Sequence, residues 1–245
     1  MNSCSKFFGA LIFFALECVG CGNSPGRPTA NAVPIDPDDI SDFDFLYAHN
    51  CAGCHGPNGK GGASMALADP VYLTIADDSV LRVATANGVT GTSMPAFAKS
   101  AGGMLADKQI DVLVRGMREL WANPDALRGE NVPPYSPASP GDVSRGSEVY
   151  TSFCSSCHGP GGNGGPKASS IVNGSYLALV SDHGLRAAVI VGRPELGAPD
   201  WRGNVAGKPM SPQDVTDVVA WLASKRTKYP GQPYQHSESS TGELR

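Results

Sequence analysis

The sequence offers no strong excess of charge of either sign and no apolar run long enough to span a bilayer. Lys and Arg number 19 and Asp and Glu number 23, which gives a formal net charge of −4. This balance provides no basic surface for nucleic acid. No cysteine lies outside residues 4–21 and two CxxC pairs, so a conventional disulfide framework has no cysteines to draw on.

The first 21 residues have the pattern of a signal peptide for export. Lys6 supplies a positive charge, and the apolar stretch of about ten residues from Phe7 to Leu16 is too short to cross a membrane. Val19-Gly20-Cys21 resembles the end of a bacterial lipobox, in which the cysteine is lipidated and becomes the first mature residue. Two interpretations stay open, a lipoprotein anchored through Cys21 and an ordinary cleaved signal. Either one predicts an exported protein, in the periplasm or on the outer face of the membrane.

Two Pro-rich segments divide the rest of the chain. Residues 22–40 are expected to form a flexible tether after the signal at 1–21. Residues 123–141 hold five prolines, a density that forbids a helix and favours an extended linker. These boundaries place one domain at 41–122 and a second at 142–228, followed by a polar tail at 229–245.

The two domains are copies of one ancestral unit. The pattern Tyr-x3-Cys-x2-Cys-His-Gly-Pro occupies residues 47–57 and recurs 103 residues later at 150–160. Later matches follow at offsets of 104 and 105, so only two small insertions separate the copies.

The closing segment of each domain has the i, i+3, i+4, i+7 spacing of an amphipathic helix. Ser211 followed by Pro212 predicts the start of the second of these helices. Neither domain shows the sustained alternation of a half-buried strand, so the sequence predicts an all-α protein. The apolar sets are Ile110, Leu113, Val114 and Met117 in the first domain and Val215, Val218, Val219 and Leu222 in the second.

Each domain carries one CxxCH segment, the pattern that attaches haem c. Two thiols add across the two vinyl groups of the porphyrin, and the histidine that follows becomes an axial ligand of the iron. A zinc site would need further Cys or His at fixed spacing, and a thioredoxin-like dithiol would need a βαβ context, neither of which the sequence provides. The predicted attachment residues are Cys51 and Cys54 with the ligand His55, and Cys154 and Cys157 with the ligand His158.

On these motifs the chain resembles class I cytochromes c, and residues 42–228 are similar to two-domain dihaem cytochromes of the cytochrome c4 type. The resemblance implies two tandem class I cytochrome c domains, each folded around one covalent haem c. It also implies a methionine as the sixth iron ligand, in a loop before the last helix and often followed by proline. Met94-Pro95 fits this pattern in the first domain. Methionine ligation raises the reduction potential of the iron.

The second domain departs from the family pattern at this ligand. Ala198 stands opposite Met94 at the offset of 104, and alanine cannot coordinate iron. Three outcomes stay open for the second iron: an open or weakly ligated position, ligation by Met210, or ligation by His183. Met210 aligns with Leu105, an apolar position at the entrance of the closing helix, which favours packing as its role.

The expected function is electron transfer outside the cytoplasmic membrane, as a carrier or as a tethered subunit of a respiratory complex. The expected partners are redox proteins, such as a quinol-oxidising complex or a terminal oxidase, together with the membrane through the lipid anchor. The alternative is a dihaem redox enzyme, peroxidase-like or acting on a small sulfur compound, that uses an open second iron. The missing methionine motivates this alternative, whereas the absence of a further catalytic domain in the sequence weighs against it.

Overall fold

The computed structural model describes residues 34–227, so the predictions for the export signal, for Cys21, and for most of the tether and the tail fall outside the described residues. Within residues 34–227 the chain forms α-helices and short 3-10 turns, with two isolated β-bridges and no strand. The all-α prediction is therefore confirmed. Among these helices none combines the length and the apolar character that a membrane crossing requires.

In the described part of the chain, ten α-helices follow one another as two series of five. The first series is α1 (Phe43–Asn50), α2 (Ala52–His55), α3 (Pro70–Ile75), α4 (Asp78–Asn87) and α5 (Asp107–Trp121). The second is α6 (Val143–Phe153), α7 (Ser155–His158), α8 (Gly174–Leu179), α9 (Asp182–Val191) and α10 (Pro212–Ser224). The same order and similar lengths in both series match the duplication seen in the sequence.

Side-chain caps explain where several of these helices begin. Asp69 and Asn173 each accept two backbone N–H bonds at the starts of α3 and α8. Asp77 and Ser181 each accept one backbone N–H bond at the starts of α4 and α9. Ser211 caps α10 with Pro212 at its first position, as the sequence predicts.

The closing helix of each half packs on the first and fourth helices of that half. Helix α5 lies against α1 and α4, and α10 lies against α6 and α9. All eight apolar residues predicted for the two closing helices are buried. The halves also meet directly, because α3 of the first packs on α9 of the second.

The crossing of the first and last helices pairs one glycine with one aromatic residue in each half, in opposite arrangements. A Cβ atom on Gly116 of α5 would lie 2.1 Å from the ring of Phe43 in α1. A Cβ atom on Gly146 of α6 would lie 2.1 Å from the Asp217 carbonyl oxygen and 2.7 Å from Cβ of Trp221 in α10. The offsets of 103 and 105 make Phe43 the counterpart of Gly146 and Gly116 the counterpart of Trp221. The large and the small residue have exchanged helices.

The ordered first half begins earlier than the boundary at residue 41. Buried Gln109 of α5 donates from Nε2 to the carbonyl oxygens of Pro37 at 2.9 Å and Ile40 at 3.1 Å. Lys99 forms an ion pair with Asp38 in the same segment. A buried amide requires acceptors, so residues 37–40 are held against the first half rather than forming part of the tether.

Residues 123–141 contain no helix, and contacts at residues 134 and 135 hold this segment on the second half. The buried guanidinium of Arg186 in α9 donates from Nε to the Pro134 carbonyl oxygen at 2.7 Å. The ring of Tyr135 stacks on exposed His183, with ring centroids 5.4 Å apart. These contacts fix the end of the linker on α9.

Candidate haem-attachment sites

Both CxxCH segments fold into the same one-turn helix. The backbone N–H of His55 donates to the Cys51 carbonyl oxygen at 3.0 Å, and that of His158 donates to the Cys154 carbonyl oxygen at 3.0 Å. Residues three apart in such a turn lie on one side of it. Each turn therefore presents its two thiols together, with the histidine directly after the second.

The first thiol of each pair is shielded from water. Burial raises the pKa of Cys51 to about 11 and that of Cys154 to about 12. A catalytic dithiol needs a depressed pKa, because the thiolate is the reactive form. The raised pKa of these two cysteines therefore gives no sign of a catalytic dithiol.

The two histidines are oriented by backbone carbonyl groups. His55 Nδ1 lies 2.7 Å from the Met65 carbonyl oxygen, and His158 Nδ1 lies 2.9 Å from the Ser169 carbonyl oxygen. A carbonyl oxygen only accepts, so Nδ1 carries the hydrogen and Nε2 keeps the lone pair that binds a metal. Burial lowers the pKa of His55, which keeps the ring neutral. The residues of both turns fit a covalently attached haem.

A tyrosine one helical turn before each first cysteine holds the chain after the histidine. Tyr47 donates its hydroxyl to the Gly56 carbonyl oxygen at 2.9 Å, and Tyr150 donates to the Gly159 carbonyl oxygen. Their repetition four residues before a cysteine was the available signal, but the acceptor becomes visible only in the fold.

Met94 lies in the loop that joins α4 to α5, half-buried. The backbone N–H of Val89 donates to the Met94 carbonyl oxygen at 3.1 Å. Gly88 makes the close approach feasible, since a Cβ atom there would lie 2.7 Å from that oxygen. Its positive φ of 68° also favours glycine.

The corresponding loop of the second half repeats this arrangement around Ala198. The backbone N–H of Arg193 donates to the Ala198 carbonyl oxygen at 2.9 Å. A Cβ atom on Gly192 would lie 2.7 Å from the same oxygen. Matching hydrogen bonds and matching close contacts make Ala198 the backbone counterpart of Met94. The loop is retained and the thioether is missing.

Met210 occupies the place of Leu105. Leu105 donates its backbone N–H to Phe97 at 2.7 Å, and Met210 donates to Trp201 at 2.9 Å, where Trp201 is the counterpart of Phe97. Only 2% of Met210 is exposed. The structure therefore does not bring Met210 to the place of Met94, and it keeps His183 at the surface against the linker.

The loop around Ala198 contacts the first CxxCH turn. Arg193 donates from Nη2 to the Gly62 carbonyl oxygen at 2.9 Å and pairs with Glu195. Gly62 itself packs on the first turn, because a Cβ atom there would lie 2.5 Å from the carbonyl carbon of His55. The sequence gives one signal for this contact, since the second half has Arg193 where the first half has Val89.

Two family models match the chain, one in each half. Residues 143–226 match the model described as cytochrome c. Residues 38–115 match the model described as cytochrome c oxidase, cbb3-type, subunit III.

The chain is also similar to several solved structures. The reducing HAO-like protein complex of Kuenenia stuttgartiensis aligns at 16% identity and a TM-score of 0.43, over 76% of this chain and 96% of that chain. Cytochrome c6 of the diatom Phaeodactylum tricornutum aligns at 19% and 0.28, over 34% and 93%. Thiosulfate dehydrogenase of Marichromatium purpuratum aligns at 20% and 0.29, over 82% and 50%.

Proposed function

Because the chain contains two tandem cytochrome c domains, which bind covalently attached haem c and transfer electrons, we propose that it works as a dihaem carrier or tethered respiratory-complex subunit outside the cytoplasmic membrane. When bound, each haem c supplies an iron that takes up and releases one electron. The observation that carries the proposal is the pair of CxxCH turns in which each histidine has its Nδ1 bonded to a backbone carbonyl.

In the first domain, Cys51 and Cys54 hold the porphyrin through thioether bonds, and His55 and Met94 ligate the iron. The hydrogen bond from His55 Nδ1 supports this assignment because it leaves Nε2 for the metal. The half-buried position of Met94 in the loop between α4 and α5 also supports it. A thioether ligand stabilises reduced iron, so we expect this site to have the higher potential.

In the second domain, Cys154 and Cys157 hold the porphyrin and His158 ligates the iron. The hydrogen bond from His158 Nδ1 to Ser169 supports the same histidine tautomer. Two sites of different potential suit a protein that passes one electron at a time between unlike partners.

Haem content and potentials test this function. We expect two haem c groups per chain in the purified protein and two reversible one-electron waves in a potentiometric titration. The double substitution Cys51→Ala with Cys54→Ala removes one haem and the higher wave, and the matched pair Cys154→Ala with Cys157→Ala removes the lower. Rapid turnover of peroxide or of a small sulfur compound by the same preparation would contradict a carrier.

Anchoring through lipidated Cys21 is supported by its lipobox-like context. We expect the full chain to fractionate with membranes and to incorporate labelled fatty acid. Cys21→Ser releases the protein in soluble form, whereas the matched control Cys18→Ser leaves it bound. Equal release by both variants would rule out a specific anchor at Cys21.

The match of residues 38–115 to an oxidase subunit supports a membrane redox complex as partner. We expect the reduced protein to be oxidised by membranes that contain a terminal oxidase, and the oxidised protein to be reduced by a quinol-oxidising complex. Inhibitors specific to each complex should block one direction each. Electron exchange that neither inhibitor affects would argue for another partner.

A further inference from the structure

We propose that Ala198 leaves the sixth position of the second iron open and that this position binds a small uncharged diatomic molecule. The inference rests on the proposed function, since it requires haem c in both domains. The loops around Met94 and Ala198 are equivalent in their backbone, and only the first carries a thioether.

The first step is that the second loop has kept its shape while losing its ligand. Arg193 N–H bonds the Ala198 oxygen as Val89 N–H bonds the Met94 oxygen. The Arg193 carbonyl oxygen also accepts from the Ala198 N–H at 3.1 Å, whereas the Met94 N–H bonds Thr92 Oγ1 at 3.1 Å, so the second loop has an additional backbone bond. A loop held in this way presents a methyl group where its counterpart presents sulfur.

The second step is that each donor group in this loop is engaged elsewhere. Met210 is fixed at the place of Leu105, with its sulfur 4.0 Å from the Asn204 amide nitrogen. Asn204 also donates to the Asp200 carbonyl oxygen at 3.1 Å, and the Asp200 carboxylate is paired with Arg202. The Lys208 ammonium lies 5.2 Å from the ring centre of Phe153. Ligation by any of these groups would require an existing contact to break.

The third step concerns the kind of ligand that fits. Replacing methionine by alanine frees the space of the thioether beyond Cβ, which suits a molecule of two heavy atoms. Apolar residues adjoin the loop, since Trp201 donates its N–H to Ile190 and both side chains are buried. Glu195 balances the charge of Arg193. Partial burial tends to raise the pKa of Glu195, but the hydrogen bond and the charge of Arg193 hold it below the usual value. These surroundings favour an uncharged ligand over an anion.

Titration of the reduced holoprotein with carbon monoxide tests the proposal. We expect one carbon monoxide per chain for two haems. Ala198→Met supplies the missing thioether and reduces the number to none, and the matched change Met94→Ala raises it to two. No binding to the wild type, or a number unchanged in Ala198→Met, overturns the open position.

Three further measurements separate this proposal from its competitors. Met210→Leu leaves one carbon monoxide per chain, and an increase instead identifies Met210 as the ligand and overturns the proposal. Ala198→Met raises the potential of the second iron, whereas Ala198→Leu, of similar size, does not. Equal effects of the two substitutions overturn the position of Ala198 at the iron. If both haems are present and reduce reversibly but bind no carbon monoxide, the open position fails while the proposed function stands.

Discussion

Single residues of the two halves reach the same contacts from positions that do not correspond. Arg118 in α5 and Arg226 just after α10 each donate to two carbonyl oxygens at the end of the third helix of their half, and each pairs with an aspartate at the start of the fourth. The two arginines lie 108 residues apart, whereas the closing helices correspond at 105, so Ala223 is the counterpart of Arg118. The acceptors are Leu73 and Ala76 with Asp78 in the first half, and Leu177 and Val180 with Asp182 in the second.

Removing one such arginine should loosen its own half. We expect Arg226→Ala to lower the free energy of unfolding of the second half by about 1–2 kcal/mol, because two carbonyl oxygens lose a charged donor. Adding Ala223→Arg should recover most of this loss, since it supplies the arginine from the helix position that the first half uses. Denaturant unfolding measures both changes. Arg128→Ala, which removes only an exposed pair with Asp125, serves as the control.

Asp217 gives the second half a dependence on pH. Its carboxylate is fully buried and accepts from Asp142 N–H, Arg145 Nε and Gln213 Nε2 at 2.7–2.8 Å. Burial alone would raise its pKa, but the three donors hold the pKa below its ordinary value. A pKa lowered by folding contributes stability that is complete above the unfolded value and is lost as the pH falls through the folded value.

We therefore expect Asp217→Asn to lower the thermal midpoint of the second half at neutral pH. The difference from the wild type should shrink as acid protonates Asp217, because the two side chains then carry the same charge. Thermal midpoints of both proteins across the acid range measure this convergence. A difference that stays constant with pH would mean that the carboxylate charge contributes nothing.

At the scale of elements, a tryptophan of each closing helix packs on the matching tyrosine, but the two tryptophans come from positions that do not correspond. Trp121 packs edge-on against Tyr47 with ring centroids 5.0 Å apart, and Trp221 stacks on Tyr150 at 4.4 Å. Both tryptophans also border a glycine four residues after the CxxCH histidine, Gly59 in the first half and Gly162 in the second. In the first half Gly116 stands at the position that matches Trp221, so the tryptophan comes from residue 121 instead.

The exchanged pair predicts a compensating double substitution. Gly116→Trp alone should destabilise the first half by at least about 1–3 kcal/mol, because its side chain would collide with the Phe43 ring. Combining it with Phe43→Gly should recover part of the loss by recreating the crossing of the second half. Hydrogen-exchange protection of α1 and α5 reports the effect. Two losses that simply add would show that the residues are not coupled.

The closing helices and the attachment turns could be predicted from sequence because their signals are local. A period of 3.6 placed Ile110 in the core, and Ser211 with Pro212 marked a helix start. The docking of residues 37–40 was not predictable, because acidic residues in sequence indicate solvated chain while their lysine partners lie about 60 residues or more away. The equivalence of Ala198 and Met94 was predicted by counting, and the backbone hydrogen bonds now support it.

At the scale of the whole molecule, one arginine joins the loop around Ala198 to the first CxxCH turn. Arg193 pairs with Ala198 through its backbone and with Gly62 through its side chain. About a quarter of that side chain is exposed, and Glu195 holds it from the other side. Valine at position 89, the counterpart of Arg193, could not make the side-chain contact with Gly62.

Loss of this contact should slow electron exchange between the haems while both haems stay attached. We expect Arg193→Ala to retain two haem c groups while lowering the rate of electron exchange between them severalfold, because the Gly62 contact is lost. Flash reduction of one site followed by redistribution measures that rate. Arg128→Ala should leave it unchanged, and an unchanged rate in Arg193→Ala would show that the junction does not carry the coupling.

The exchanged glycine and aromatic residue also determine which helices can recognise each other while the chain folds. Two similar halves on one chain can mispair, so that the first helix of one half docks on the closing helix of the other half. Helix α1 on α10 would press Phe43 against Trp221, and α6 on α5 would leave Gly146 facing Gly116 across a void. Because one mismatch is too large and the other too small, we expect the matched pairs α1–α5 and α6–α10 to be more stable than the exchanged pairs. The sizes of the residues at the two helix crossings therefore discourage pairing between the halves.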